Sequence, residues 1–324
     1  MNPCVIRLPG AAALFIMAGM DVCEPLGGTT LESQSEAPGA PAFDLRRAGP
    51  EGAAPPTPLV FASPHSGRCY PADLMAASRL SAVDIRRSED AFVDELVGQA
   101  PALGAALISA RLARAYVDLN RDPTELDPAM FADQLPDSAR VRTARVAAGL
   151  GAIARVVADG QEIYARKLNY AEARERIDSV HRPYHLALQG LLSEAQAAHG
   201  FAVLIDWHSM PMAAARASGR AGASDIVLGD RFGAACAGTL TRRVEQILES
   251  MGYSVARNAP YAGGFTTEHY GTPARRIHAL QIEINRGLYL DETSLTPTDG
   301  FARLKSDLET LTQRLADSDW PALV

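Results

Sequence analysis

Two of the chain's seven histidines stand where apolar runs give out. His65 follows Leu59–Ala62 in the turn "SPHSG", and His208 closes the run "FAVLIDWHS". Imidazole nitrogen is the commonest protein metal ligand, and a catalytic zinc site takes three protein ligands and keeps a fourth position open. Neither histidine lies on an apolar helix face, so core packing explains them poorly, although loop structure is a rival reading for His65. The third ligand would be a carboxylate, because Cys4, Cys23, Cys69 and Cys236 are scattered and form no CxxC pair. Asp90 and Glu89 are the candidates, against the plainer reading of acidic side chains in a helix's first turn.

Glu283 sits inside the apolar run "ALQIEINRG". A carboxylate there is costly to bury unless it is paired or its pKa is raised. Ile282 and Ile284 would point the other way, so Glu283 would face a cleft. A buried salt bridge with an arginine is the competing account. Metal-assisted amide hydrolysis requires such a glutamate as general base. In "ARAYVDLNRDP", Arg114 and Arg121 flank an apolar stretch and Asn120 lies just past it. Two such arginines in a net acidic protein could clamp a carboxylate, or could simply be surface ion pairs.

Other histidines read as structural. "HRPYH" puts His181 and His185 at i,i+4, but no glutamate follows the first histidine and Pro183 interrupts, so a supporting role outweighs ligation. His199 precedes a glycine at a helix end, and His278 falls within a strand. No G-x-S-x-G elbow occurs, and Ser66 and Ser209 are merely chain neighbours of histidines, which sets a serine hydrolase aside.

The elements that must position these groups alternate. Strands are expected at Leu59–Ala62, at two short stretches within 105–123 broken near Arg111 and closed by Asp122-Pro123, at 201–209, at 253–257 and at 277–287. Helical patterns run over 82–100, most of 138–199, 231–251 and 300–315, with loops at 124–138, 210–224 and 259–271. This order implies one α/β domain with a mixed, largely parallel sheet flanked by helices, whose ligands gather beyond the strand C-terminal ends. Residues 1–57 read as a disordered or over-extended lead-in and 58–324 as the domain. Ala11–Met20 is too short for a membrane span, so it is either a weak secretory signal or sequence upstream of a true start at Met20. A net charge of −7 gives no electrostatic reason to expect nucleic acid or an anionic membrane as partner. The scattered cysteines suggest a reducing, cytoplasmic setting.

Taken together and in this order, "SPHSG", "ARAYVDLNRDP", "LIDWHSMP", "GGFTTEHYG" and "HALQIEINRGLYLDE" resemble the N-formylglutamate amidohydrolase family, over about residues 58–315. That family is similar to the zinc carboxypeptidase and aspartoacylase group. The resemblance implies a carboxypeptidase-like (phosphorylase/hydrolase-like) α/β fold and one Zn2+, or another divalent metal. It implies a small N-acyl amino acid as substrate. By position, His65 is the first ligand and His208 the last. The carboxypeptidase group's middle ligand would fall on Arg68, so that pattern fails, and the acidic ligand falls instead on Asp90, with Glu89 as the fallback. Glu283 corresponds to the general base and Arg114 to the group that polarises the scissile carbonyl. Asn120 and Arg121 correspond to a carboxylate anchor, and His269 and Tyr270 to residues closing over the substrate; Asp206 would either orient His208 or, as its sequence neighbour, bind elsewhere. The rivals are another acidic N-acyl amino acid or small peptide as substrate, and a non-catalytic binding module, which would lack the base or a zinc histidine.

Overall fold

The structure is a computed structural model that describes residues 41–324 other than 51, 158–159 and 219–222. Seven strands form one sheet: β1 (Phe43–Arg46), β2 (Leu59–Ser63), β3 (Ala106–Ala110), β4 (Ala202–Met210), β5 (Ile226–Gly229), β6 (Val255–Arg257) and β7 (Ile277–Asn285), in the order β1-β3-β2-β4-β7-β5-β6. The four central strands β3, β2, β4 and β7 are mutually parallel. β1 runs antiparallel to β3 and β5 antiparallel to β7, which makes the sheet mixed and largely parallel, as expected.

Both faces are covered, which is why the central strands read as almost unbroken apolar runs. On one face, Val60, Ile108 and Leu204 pack with Tyr184, Leu188 and Leu191 of the helix Arg182–His199. On the other, Phe61, Trp207, Leu280 and Ile282 meet Leu240 and Val244 of the helix Gly238–Ser250 and Leu304 and Leu308 of the helix Gly300–Ala316. Apart from His278 at the start of β7, buried polar side chains enter the central strands toward their C-terminal ends. There β4 and β7 pair Asp206 with Gln281 and His208 with Glu283, in register and on the same face as Leu204 and Ala279.

Several elements differ from expectation. Ordered chain begins before residue 58: β1 pairs with β3, and Phe43 and Leu45 pack on the core. Residues 106–120 hold one strand rather than two, because after Ala110 the backbone turns through 111–120 to carry side chains into the site. Among its described residues the stretch 138–169 is largely irregular, with one short α-helix at Ala144–Ala147. Its backbone bonds to remote segments instead, with Asp118 donating to Ala152 and Ala165 to Ala77, so tertiary packing overrides a helix-forming composition. Helix then runs Tyr170–Arg176, a π turn Ile177–His181, and Arg182–His199, with Pro183 tolerated in the first turn. The helix expected from 231 starts at Gly238, since Arg231 and Phe232 adopt positive φ and Asp230 holds the turn through Gly233 and Asn258. β5 falls in a stretch for which no strand was expected, and the "loop" at 259–271 contains the helix Phe265–Tyr270. Cys236 is a free, buried thiol. Among the described residues no helix is long and apolar enough to cross a membrane.

The turn bearing His65 is clamped to the segment after β3: Cys69 donates to Arg111 and Ala113 to Cys69, each at 2.9 Å. At Gly67 the two chains approach so closely that a Cβ would lie 2.1 Å from the Leu112 carbonyl oxygen. Gly67→Ala should therefore destabilise the protein by about 1–3 kcal/mol in a urea titration, as overpacking against backbone does; an unchanged midpoint would show that this contact gives way freely.

Candidate metal and active site

The C-terminal ends of the four parallel strands lie on one side of the sheet, where the last residues of β4 and β7 and the segments that follow β2 and β3 supply the site. Asp90 comes from a break between short helical turns: Glu89 is extended and Phe92 left-handed, and the Asp90 amide donates to the His65 carbonyl at 3.0 Å. The continuous helix expected over 82–100 is thus interrupted where the acidic residue is needed. Asp90 is not in a helical first turn, so the dipole account does not apply to it.

His65, Asp90 and His208 are all buried, and one ligand atom from each lies within 4.8 Å of the others. His65 Nε2 meets Asp118 Oδ1 at 2.7 Å. A carboxylate oxygen only accepts, so the proton sits on Nε2 and the lone pair on Nδ1. That Nδ1 is buried without a hydrogen-bond partner, 3.4 Å from Asp90 Oδ2. His208 is arranged likewise, with Nε2 3.0 Å from Asp206 Oδ2 and Nδ1 2.9 Å from Asp90 Oδ2. Two carboxylate–imidazole pairs therefore aim their Nδ1 atoms at one carboxylate, which is how metal-ligating histidines are commonly held. A buried, unpartnered imidazole nitrogen facing a second imidazole and a carboxylate fits a divalent cation.

Asp90 is fixed from behind. Its Oδ1 accepts from Arg286 Nη2 at 3.1 Å, and the same guanidinium donates to the Glu89 carbonyl and to Ser209 Oγ. The Glu89 side chain is turned away, bound by Tyr70 at 2.5 Å and Arg86 at 3.0 Å. Of the two acidic candidates, only Asp90 joins the cluster.

The charges are strongly interdependent. Burial pushes the Asp90 carboxyl up, but contacts with His208 and His65 outweigh it and hold the group well below the usual range. Burial opposes ionisation of Asp118 too, yet Arg114, His65 and Arg121 keep it well below normal. His208 is raised well above the ordinary imidazole value: burial disfavours its cation, but Asp206, Asp90 and Glu283 favour it more. Glu283 is pushed by burial up to about 7, with His208 pulling it down and Asp90 raising it further. One of its oxygens accepts from Gln281 Nε2 at 2.7 Å, and Gln281 is itself held by the Gly264 amide.

A cavity of about 550 Å³ opens over the cluster, lined among others by Glu283, Arg114, Arg121 and Arg145. Arg114 Nη2 pairs with Asp118 Oδ2 at 2.6 Å, and Arg121 spends Nε and Nη1 on the carbonyls of Leu150 and Asn120. Asn120, expected in a carboxylate anchor, lines the cavity with its side-chain amide engaged. Its Nδ2 donates to Asp206 at 3.2 Å and lies 2.9 Å from His208 Nε2, while its Oδ1 accepts from the Thr266 amide at 2.7 Å. Gly264 passes so near that a Cβ there would lie 2.4 Å from Asn120 Nδ2. The Gly263–Gly264 turn accordingly brings Tyr261, not His269 or Tyr270, to the cavity wall. His269 stacks on Phe265, and the Tyr270 hydroxyl contacts His185, because both belong to the short helix that starts beyond that turn.

Asp118, Gln281, Arg286 and Arg145 escaped the sequence reading. Asp118 had a usable signal: "VDLN" and "IDWH" each place an aspartate two residues before the polar group that ends an apolar run. Arg286 and Arg145 had none, since ordinary surface arginines look the same. His181 and His185 meet backbone carbonyls rather than the cluster.

The model of the N-formylglutamate amidohydrolase family matches residues 57–290. The chain is 30% identical over 243 residues to N-formylglutamate deformylase of Pseudomonas putida, covering 73% of this chain and 83% of that protein. It is 31% identical over 240 residues to the Pseudomonas aeruginosa deformylase, covering 72% and 83%. The crystal structure of N-formylglutamate amidohydrolase from Ralstonia eutropha JMP134 superposes with a TM-score of 0.79 at 39% identity, over 86% of this chain and 98% of that one. With a family match over most of its length and relatives of one kind, the chain belongs to the N-formylglutamate amidohydrolase family and is a hydrolase that acts on an amide.

Proposed function

We propose that this enzyme hydrolyses the amide of N-formyl-L-glutamate, or of a closely similar acidic N-acyl amino acid, with one divalent metal, Zn2+ by preference, held by His65, Asp90 and His208. The observation that carries this reading is the pair of Asp–His dyads aimed at Asp90 beside the buried Glu283. A cation held there supplies Lewis-acid polarisation of the carbonyl and a more acidic water. Glu283 takes a proton from the attacking water, whose oxygen bonds to the formyl carbon, and returns it to the nitrogen as the C–N bond breaks. Formate and glutamate result. With its carboxyl near 7, Glu283 is matched to both transfers at neutral pH. Arg114 is held by Asp118 at the cavity wall, and its free N–H groups serve the developing oxyanion.

The acidic substrate class is supported by the cations around the cavity. Arg121 is depressed by burial, and by Arg114 and Arg145 as like charges, so an anion seated among them relieves repulsion. Arg145 reaches no closer than 3.8 Å to Glu125, which leaves it able to turn toward a ligand carboxylate.

Three outcomes test the proposal. Exhaustive chelation should abolish release of glutamate from N-formylglutamate, and added Zn2+ should restore it; activity that survives metal-free conditions sinks the metal reading. Glu283→Gln should keep the bound metal in elemental analysis while lowering kcat by about 10²–10⁴-fold. Full activity of that variant would mean that another group is the base. Arg145→Gln should raise KM for N-formylglutamate about tenfold to a hundredfold, with kcat little changed and a smaller effect on N-formylglutamine. Equal turnover of those two substrates by the wild-type enzyme would refute the acidic-substrate assignment.

A further inference from the structure

His181 closes the π turn Ile177–His181 and His185 lies four residues on in the helix Arg182–His199, with ring centroids 4.3 Å apart. Their Nε2 atoms lie 2.9 Å from the carbonyl oxygens of Arg121 and Leu119 respectively. Carbonyls only accept, so each Nε2 carries the proton and donates. His185 Nδ1 then accepts from the Tyr270 hydroxyl at 2.9 Å. Between the two carbonyls, that of Asn120 accepts from Arg121 Nη1 at 2.8 Å and from the Phe265 amide at 3.4 Å. Three successive carbonyls are thus fastened, and the central residue of the three presents its amide to Asp206 and His208. Neither histidine touches the cavity or the cluster. Burial also lowers both below the ordinary imidazole value, His185 to about 3, which preserves the neutral donor form.

We propose that His181 and His185 are positioning residues: by clamping the Leu119 and Arg121 carbonyls they fix Asn120, and through Asn120 they hold His208 and Asp206 in ligand geometry. The π turn is what brings this helix face onto that peptide, in keeping with such turns at functional sites. The inference rests on the metal reading of the site.

The test is zinc affinity of the purified enzyme, measured by competition with a chromophoric chelator. His185→Phe keeps an aromatic ring without the donor and should weaken zinc binding about 10–100-fold, the usual effect of losing a support behind a ligand. His185→Gln restores an N–H donor and should recover most of that loss. A merely structural role would lower the melting temperature and leave zinc affinity unchanged, which would overturn the proposal. Should His185→Phe fail to fold, 15N NMR of the wild-type imidazoles decides: both histidines should be neutral with a slowly exchanging Nε2–H, and the Nδ1–H tautomer at His185 would overturn the clamp. If the wild-type enzyme binds no zinc, the metal reading fails on its own account, and the NMR result still reports whether the carbonyls are held.

Discussion

Asp90, Asp118, Asp206 and Glu283 are packed around two imidazoles with almost no contact with water. Four carboxyl groups so placed repel one another and lose their hydration, which is unfavourable unless each is paired and hydrogen-bonded. The rest of the site answers that demand. Arg114 neutralises Asp118, Arg286 neutralises Asp90, Gln281 donates to Glu283 and Asn120 donates to Asp206. The remaining negative charge falls on the space between the two Nδ1 atoms. His208 is driven toward its protonated form by this field, and a divalent cation competes for the same position.

Such a cluster needs rigid support, and the parallel register of β4 and β7 provides it. Because side chains alternate along a strand, Asp206 and His208 share a face, and so do Gln281 and Glu283. The register then sets the two pairs side by side. A slip of one residue would turn all four toward the opposite layer, where Trp207, Ile282 and Ile284 now pack. The apolar layers on both faces therefore fix the position of the polar groups as firmly as the hydrogen bonds do.

Legibility in the sequence followed burial pattern. His65, His208 and Glu283 stood out because polar side chains interrupt apolar runs that read as strands, and the fold class followed from the same runs. Asp90 was nominated along with Glu89, but they share one sequence neighbourhood, and what separates them is tertiary: the bond from the Asp90 amide to the His65 carbonyl, and Tyr70 and Arg86 holding the Glu89 side chain away. Asn120 stood out beside the arginines, but its local pattern carries no sign that its amide meets Asp206 and His208 as well as the cavity. His269 and Tyr270 lie outside the cavity lining because they belong to the short helix beyond the turn at Gly263–Gly264, which brings Tyr261 to the wall instead. The irregular stretch 138–169 could not be read from local pattern, since its backbone partners lie far away in the chain.

What the amino-acid sequence determined by itself was the alternation of strands and helices, the polar residues at strand ends and hence the kind of chemistry available. Side-chain periodicity and the cost of burying polar groups are local properties, and they leave marks in the chain. The tertiary structure alone decided which carboxylate completes the cluster, which nitrogen of each imidazole faces it, and which arginines surround the cavity. Those choices depend on partners up to 199 residues away, such as Arg286 reaching the carbonyl of Arg87, and no local pattern encodes them.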